Sequence, residues 1–516
     1  MVVSTRAAEA MVHREGQASE VELKFALPPD AERRLAELRE FRPPVAEAPV
    51  ATRLVSTYFD TADCDLAKSG FTLRVRRDGE KRIQTVKSRG AAGAASSCGE
   101  WEERLESDEP NLERASGTPI ADALPPAARL LPVAVSDINR TTRLIRFEGA
   151  VIEAAFDVGS IEANGEKEPV RELELELKAG SEGALYRLAL ALHTTAPLRI
   201  DADSKAARGY RLRYGGAPKA VEAKDVTLNS DVAGADAFRI IVSNALAHLL
   251  ANRGPALAGD AEGVHETRIA IRRLRSALRL FRPHLEPNAT GLFEAEMRTL
   301  GRVVGEARDW DVFLSEVLPE AGKRSAERGL IEMLREPAER RAKAAHAAAE
   351  RKLDEPSFTS LVLGLAAWAH EAHTLGDKRF LRPLADLAPN LLDRLLIKAE
   401  KRGRGVHADS PAADLHPLRK SLKKLRYGVE FLAALYPRKW AKDYVKSLKR
   451  VLRAQGAIND AALAARLAEE LASPTRLDLA PSVAALSQAS EGASIEARRK
   501  FRKAWDGLKD ETPFWR

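Results

Sequence analysis

At 516 residues, with 45% hydrophobic residues and two cysteines, the chain can build two or three domains with full apolar cores and needs no disulfide scaffold. No stretch reaches the apolar length of a membrane span and the N-terminus has no apolar signal core, so neither a membrane-spanning nor a secreted protein is indicated. The net charge of +7 is unevenly spread: residues 1–214 carry 31 Lys+Arg against 35 Asp+Glu, and residues 215–516 carry 51 against 40.

Residues 1–17 read as a polar leader. The first strand signal follows in Ser19–Phe25, where Glu20, Glu22 and Lys24 alternate with Val21, Leu23 and Phe25. A strand sends alternate side chains to opposite faces, so two carboxylates and an ammonium share one face. Such a face suits a cation together with an anion that the cation also binds, although the pattern also arises on solvated strands. Cys64 and Cys98 belong to no paired-cysteine motif and read as free thiols of a reducing cytosol, with a disulfide between them as the alternative. Arg74 and Arg76 repeat the alternation within Phe71–Arg76, and Thr85 shares a face with Lys87 in Ile83–Lys87. Glu100 and Glu102 flank Trp101. Glu153 and Asp157 fall on one face of Val151–Asp157, and Glu172, Glu174 and Glu176 alternate with Leu173, Leu175 and Leu177 before Lys178. A face so rich in both signs fits the inside of a closed barrel around a charged ligand.

In this order, the Glu20-x-Glu22-x-Lys24 opening, Tyr58-Phe59-Asp60-Thr61, Leu73-Arg74-Val75-Arg76, the Glu172–Lys178 strand and Ser204–Tyr210 resemble a CYTH domain of the triphosphate tunnel metalloenzymes, over residues 18–214. The resemblance implies an antiparallel β-barrel tunnel. Its metal carboxylates would be Glu20, Glu22, Asp157, Glu172 and Glu174, holding Mg²⁺ or Mn²⁺. Lys24, Arg74, Arg76, Lys87, Arg140 and Lys205 would contact triphosphate, and the catalytic set would include Glu20, Glu22 and Lys24. Glu176 is a further candidate at the strand's far end, and Arg143 competes with Arg140. Phosphoryl transfer depends mainly on positioning and on neutralising phosphate charge, which these residue types supply. No Walker loop, His-Glu-x-x-His or Gly-x-Ser-x-Gly occurs to support another common hydrolase.

Gly215–Pro218 closes the strand-rich part, residues 215–230 read as a linker, and residues 231–510 become helical and rich in Ala, Leu and Arg. This half repeats itself at an offset of 151 residues. His265, Arg268, Arg272 and Arg275 match His416, Arg419, Lys423 and Arg426; Arg298, Arg302, Gly305 and Asp309 match Lys449, Arg453, Gly456 and Asp460. At 100° per residue the first set forms a basic stripe beside an apolar arc, in both copies, with few acidic partners. Recurrence favours a polyanion-binding surface over a solvated face.

The pattern resembles the CHAD domain, which implies two pseudo-symmetric helical bundles that bind inorganic polyphosphate. The implied surface is His265, Arg268, Arg272, Arg275, Arg302, His416, Arg419, Lys423, Arg426, Lys449 and Arg453. Neither histidine reads as a metal ligand, and Glu430 breaks the stripe where Arg279 continues it. The expectation is thus an α+β multidomain protein: an N-terminal barrel tunnel, then an all-α domain of two bundles. Its expected activity is a metal-dependent inorganic triphosphatase, located in the cytoplasm with association to polyphosphate granules. Other readings are a slow or non-catalytic polyphosphate-binding protein, or an enzyme acting on ATP or thiamine triphosphate. Nucleic acid is disfavoured because the stripe lacks interleaved aromatics. Oligomeric state is not legible.

Overall fold

The computed structural model describes residues 21–516 except 89–98, 126–127, 202, 372–376, 408–409 and 473–476. Glu20 and Cys98 therefore lie outside the described residues; Cys64 is a free thiol. The chain divides after Pro218 into two compact units. No described helix is long and apolar enough to cross a membrane.

Among the described residues the first unit carries one antiparallel sheet of nine strands: β1 (Glu22–Ala26), β2 (Val50–Asp60), β3 (Phe71–Asp78), β4 (Lys81–Ser88), β5 (Glu100–Leu105), β6 (Leu131–Phe147), β7 (Ala150–Ala163), β8 (Glu166–Ala179) and β9 (Arg199–Ile200). The pairing order is β5-β4-β3-β2-β6-β7-β8-β1-β9. Asn164 and Gly165, at φ of 54° and 78°, turn β7 into β8, the backbone that a tight hairpin demands. The antiparallel sheet is as expected, but closure into a barrel is not seen: no pairing joins β5 to β9 among the described residues, where the sheet is open. Alternating hydropathy specifies which side of a strand is charged, but closure needs hydrogen bonds between end strands, which alternation does not encode.

One face is apolar. Leu23, Phe25, Leu173, Leu175 and Phe156 are buried there, and α1 (Glu182–Thr195) brings the buried side chains Leu185, Leu188 and Leu192 to this side of the unit. The other face carries the charges, with an apolar end where Tyr58, Ala134, Ile161 and Val170 pack against Ala206 and Tyr210 of α2 (Lys205–Tyr214). Gly209 permits this approach, since a Cβ there would lie 2.5 Å from Ala134 Cβ. Gly209→Val should lift α2 from the sheet at a cost of about 1–3 kcal/mol, read as a lower Tm. Tm equal to wild type would contradict the packing.

The second unit is all-helical. α3 (Gly234–Leu257), α4 (Ala261–Phe281), α5 (Pro287–Val312) and α6 (Arg335–Asp354) pack in sequence-local pairs, as do α7 (Leu384–Gly403), α8 (Ala412–Leu432), α9 (Arg438–Leu471) and α10 (Ala480–Lys509); α4 packs on α8 between the two sets. α4 and α8 begin and end at the 151-residue offset, and α5 and α9 begin at it. The duplication seen in side-chain types is therefore a duplication of helices. Residues 219–230, expected as a linker, group with this unit: Val226 and Leu228 are buried, and Asn252 bonds both the N–H and the carbonyl of Val221.

Candidate functional site

Strand register sets the charged face of the sheet in rows. Arg140 stands opposite Asp157, which stands opposite Glu172; one step along, Glu174 stands opposite Lys24, and beyond it Glu176 opposite Glu22. Ser204 caps α2 by accepting from the Ala207 N–H, which starts the helix at Lys205 and aims that side chain at the carboxylates. Lys205 Nζ lies 2.7 Å from Asp157 Oδ2, 2.6 Å from Glu172 Oε2 and 2.8 Å from Glu174 Oε1. Arg140 donates two 2.7 Å bonds to Asp157 and also reaches Glu174. Arg143 instead donates to the Phe41 carbonyl at 2.8 Å, so of these two arginines it is Arg140 that meets the cluster.

Arg208 was not singled out from the sequence. It donates to Glu172 Oε1 at 2.6 Å and to Glu168. Its signal was its place three residues after Lys205, on the same side of a helix. Asp60 and Tyr210, each in a motif given no role, meet at 2.6 Å; Asp60 also accepts from the N–H groups of Thr61, Leu66 and Ala67. That buried bond ties α2 to the end of β2. Glu176 lies with Lys178 at 2.7 Å, away from Lys205.

On the other arm of the sheet, Glu100 joins Lys87 at 2.7 Å and Arg74 at 3.5 Å. Arg76 Nε donates to Ser56 Oγ at 3.2 Å. Among the described residues, Lys24 and Arg76 meet no carboxylate within ion-pair distance. Burial, and then Glu174, push the Glu22 carboxyl up to about 7, against the pull of Lys87, Lys24 and Lys205. Lys87 on β4 acts on Glu22 although five strands separate β4 from β1 in the pairing order. The open sheet therefore curls, and its charged face is concave.

Burial disfavours charge on Lys205 and Arg140, but the carboxylates outweigh it and hold both above their ordinary values. Burial also opposes ionisation of Glu174; Lys205 and Arg140 overcome it and keep the carboxyl well below its usual range. Burial, with Arg74 beside it, lowers Arg76 to about 10. One oxygen from each of Asp157, Glu172 and Glu174 lies within 4.8 Å of the others. All-carboxylate donors fit a hard divalent cation, and the Lys205 ammonium supplies positive charge at that point.

In the helical unit the stripe resolves into groups. Arg268 and Arg272 of α4 face Arg419, Lys423 and Arg426 of α8; burial and these four arginines push Lys423 down to about 7. Tyr427, itself buried, accepts from Arg272 Nε at 2.8 Å and lies under Arg426 at 4.4 Å. Arg268 pairs with Asp309 at 2.8 Å, and its guanidinium carbon lies 3.8 Å from a Cβ position at Gly305; Arg419 has the same relation to Gly456 at 3.7 Å. The repeated Gly thus leaves room for the repeated Arg, but the anchors differ: Arg268 meets Asp309, whereas Arg419 donates to the Leu452 carbonyl at 2.6 Å. Arg275 turns to a second group with Arg279 and Arg298, and Arg302 lines a cavity of about 410 Å³ with Arg268, Asp309 and Trp310. Lys449 and Arg426 both approach Glu430, at 3.7 and 3.6 Å, so the copies are unequal. Arg453 is exposed. Burial and nearby cations lower His265 and His416, leaving both neutral at pH 7. His265 and Glu262 lie near Glu266, whose carboxylate is bonded by His248 at 2.9 Å.

A curled antiparallel sheet with interleaved carboxylates and cations on its concave face, joined to a duplicated basic helical unit, is the class that fold and site define. The chain is a CYTH–CHAD protein: residues 18–210 match the CYTH domain and residues 240–469 the CHAD domain. It is 34% identical over 161 residues to an inorganic triphosphatase of Haemophilus influenzae, a match taking in 31% of this chain and 46% of that one, so it spans about half the relative's length. A CHAD domain from the plant Ricinus communis is 31% identical with a TM-score of 0.49, over 57% of this chain and 98% of that one. A putative adenylyl cyclase from Hippeastrum with a dominant triphosphatase activity is 20% identical with a TM-score of 0.28, over 37% of this chain and 95% of that one. The CYTH family is metal-dependent, and the carboxylate cluster is chemically suited to an ion.

Proposed function

We propose that the CYTH unit is a metal-dependent triphosphatase that cleaves inorganic triphosphate to pyrophosphate and phosphate, and that the CHAD unit binds inorganic polyphosphate. The observation that carries the reading is the convergence of Asp157, Glu172 and Glu174 on the concave face that also presents Lys24 and Arg76, neither of them within ion-pair distance of a carboxylate among the described residues.

Lys24 and Arg76 offer charge to phosphate oxygens without first breaking an ion pair. Arg74 and Lys87 would exchange the Glu100 carboxylate for phosphate oxygens on binding. Asp157, Glu172 and Glu174 would hold the cation, which supplies charge neutralisation and a lowered pKa for bound water. Glu22, half-protonated near neutral pH, can accept a proton on its carboxylate. For the CHAD unit, the α4–α8 cluster supports the reading: five basic side chains stand together, of which Arg268 and Arg426 meet a carboxylate, and burial with their mutual repulsion lowers Lys423 to about 7.

Phosphate release from triphosphate, ATP, thiamine triphosphate and long-chain polyphosphate, with and without Mg²⁺ or Mn²⁺, tests the enzyme. Triphosphate should be cleaved fastest and only with metal, and Glu174→Gln should lower the rate by about 100-fold or more. Faster cleavage of ATP or thiamine triphosphate would replace the substrate. Absence of cleavage with all four, in wild type and variant alike, would leave a binding protein.

A further inference from the structure

The two copies of the helical repeat differ sharply in one place. Residues 438–453, the first turns of α9, carry seven basic residues and one acidic, whereas residues 287–302 of α5, at the same offset, carry two of each. Arg438, Lys439, Lys442, Lys446 and Arg450 stand where the first copy has Pro287, Asn288, Gly291, Ala295 and Thr299; only Lys449 and Arg453 have basic counterparts, Arg298 and Arg302.

All seven are exposed. At 100° per residue they fall in one arc of about 120°, running about 22 Å along the helix. Lys449 approaches Glu430 at 3.7 Å. The other six have no ion-pair partner among the described residues. Concentrating like charge on one face raises repulsion within the helix, and neighbours usually supply compensating carboxylates. Here they do not. The apolar positions Ala441, Tyr444, Leu448, Val451 and Leu452 are buried on the opposite side, so packing is satisfied without these charges.

The face also joins the α4–α8 cluster: Lys449 and Arg426 share Glu430, and Arg426 borders Lys423. A straight row of cations with a large excess of positive charge complements a linear polyanion. Base stacking has no platform in the arc, since the exposed Trp440 projects about 80° beyond its edge.

We propose that the exposed face Arg438–Arg453 of α9 is a track, present in the second repeat only, on which a long polyphosphate chain continues beyond the α4–α8 cluster. The inference rests on the polyphosphate reading of the CHAD unit and adds chain-length selectivity to it. Long chains engage both cluster and track; short chains fill the cluster alone.

The test uses the full chain with Lys439→Glu, Lys442→Glu and Lys446→Glu combined; exposed sites of this kind change stability little. Affinity for short-chain polyphosphate, long-chain polyphosphate and single-stranded RNA is measured over a range of salt. Wild type should prefer the long chain. The variant should lose about tenfold or more for the long chain, show a shallower salt dependence with it, and bind the short chain as before. An unchanged long-chain affinity, or equal loss for both lengths, overturns the track while leaving the cluster standing. Wild type that binds neither length removes the polyphosphate reading and the track together. Loss confined to single-stranded RNA would assign the face to nucleic acid and overturn the proposal.

Discussion

Replacing Lys205 with methionine is expected to destabilise the ligand-free protein by about 3–5 kcal/mol and to make its stability depend on divalent metal. Lys205 Nζ is the shared partner of Asp157, Glu172 and Glu174, two of which have almost no exposed side-chain surface. Without the ammonium, Arg140 and Arg208 are left to balance three carboxylates in a largely desolvated space. A divalent cation can supply the missing charge, so Mn²⁺ should raise the variant's Tm far more than it raises wild type's. For a unit of about 200 residues, the deficit in metal chelator should be roughly 10 °C. Triphosphate cleavage should also fall, because the ammonium is then unavailable to phosphate. Lys205→Arg, which keeps the charge, should remain stable in chelator. Equal Tm for wild type and Lys205→Met in chelator, or equal rises with Mn²⁺, would show that this ammonium does not occupy the cation position.

Lys423→Met should do the opposite to stability: raise it, while weakening polyphosphate binding. Burial and then Arg419, Arg272, Arg268 and Arg426 hold Lys423 at about 7 instead of 10.5. The unfolded chain therefore binds more protons between those pH values. Wild-type stability is highest above pH 10.5 as regards this group, is lost progressively as pH falls towards 7, and changes no further below it. Methionine removes that slope, and at pH 7.5 the variant should gain about 1–3 kcal/mol. Binding has the reverse sign. A polyanion favours the ammonium, so wild-type affinity should fall as pH rises through 7, with proton uptake on binding. The variant should bind about tenfold more weakly below pH 7 and lack this step. His265 and His416 titrate lower, displaced downward by burial and then by Arg308 and Lys420 respectively, and so account for changes below the step. Calorimetry in buffers of different ionisation enthalpy reads the proton uptake. A lower Tm for Lys423→Met would mean that the lysine is paired rather than strained.

Much of this was legible in the sequence. The strand alternation of Glu22 and Lys24, Arg74 and Arg76, and Glu172 and Glu174 placed those charges on one face, because side-chain direction follows from a period of two alone. The helical repeat was legible for a similar reason. Conserved spacing between His265 and Asp309, and between His416 and Asp460, transfers directly into helices of matching start.

What the sequence by itself determined is the inventory: an acidic-and-basic sheet, then a duplicated basic helical unit, and the faces on which their charges lie. Those properties are local, set by neighbours within a few residues. Tertiary structure alone decided that the sheet stays open, that it curls enough for Lys87 to act on Glu22, and that Lys205 and Arg140 rest on carboxylates rather than standing apart. It also decided that Arg208 joins them, that Gly209 lets α2 reach the face, and that basic residues 151 apart form one cluster. Each depends on strand order, cross-strand register or helix pairing between segments far apart in the chain. Alternation constrains a side chain's direction, and only packing selects its partner.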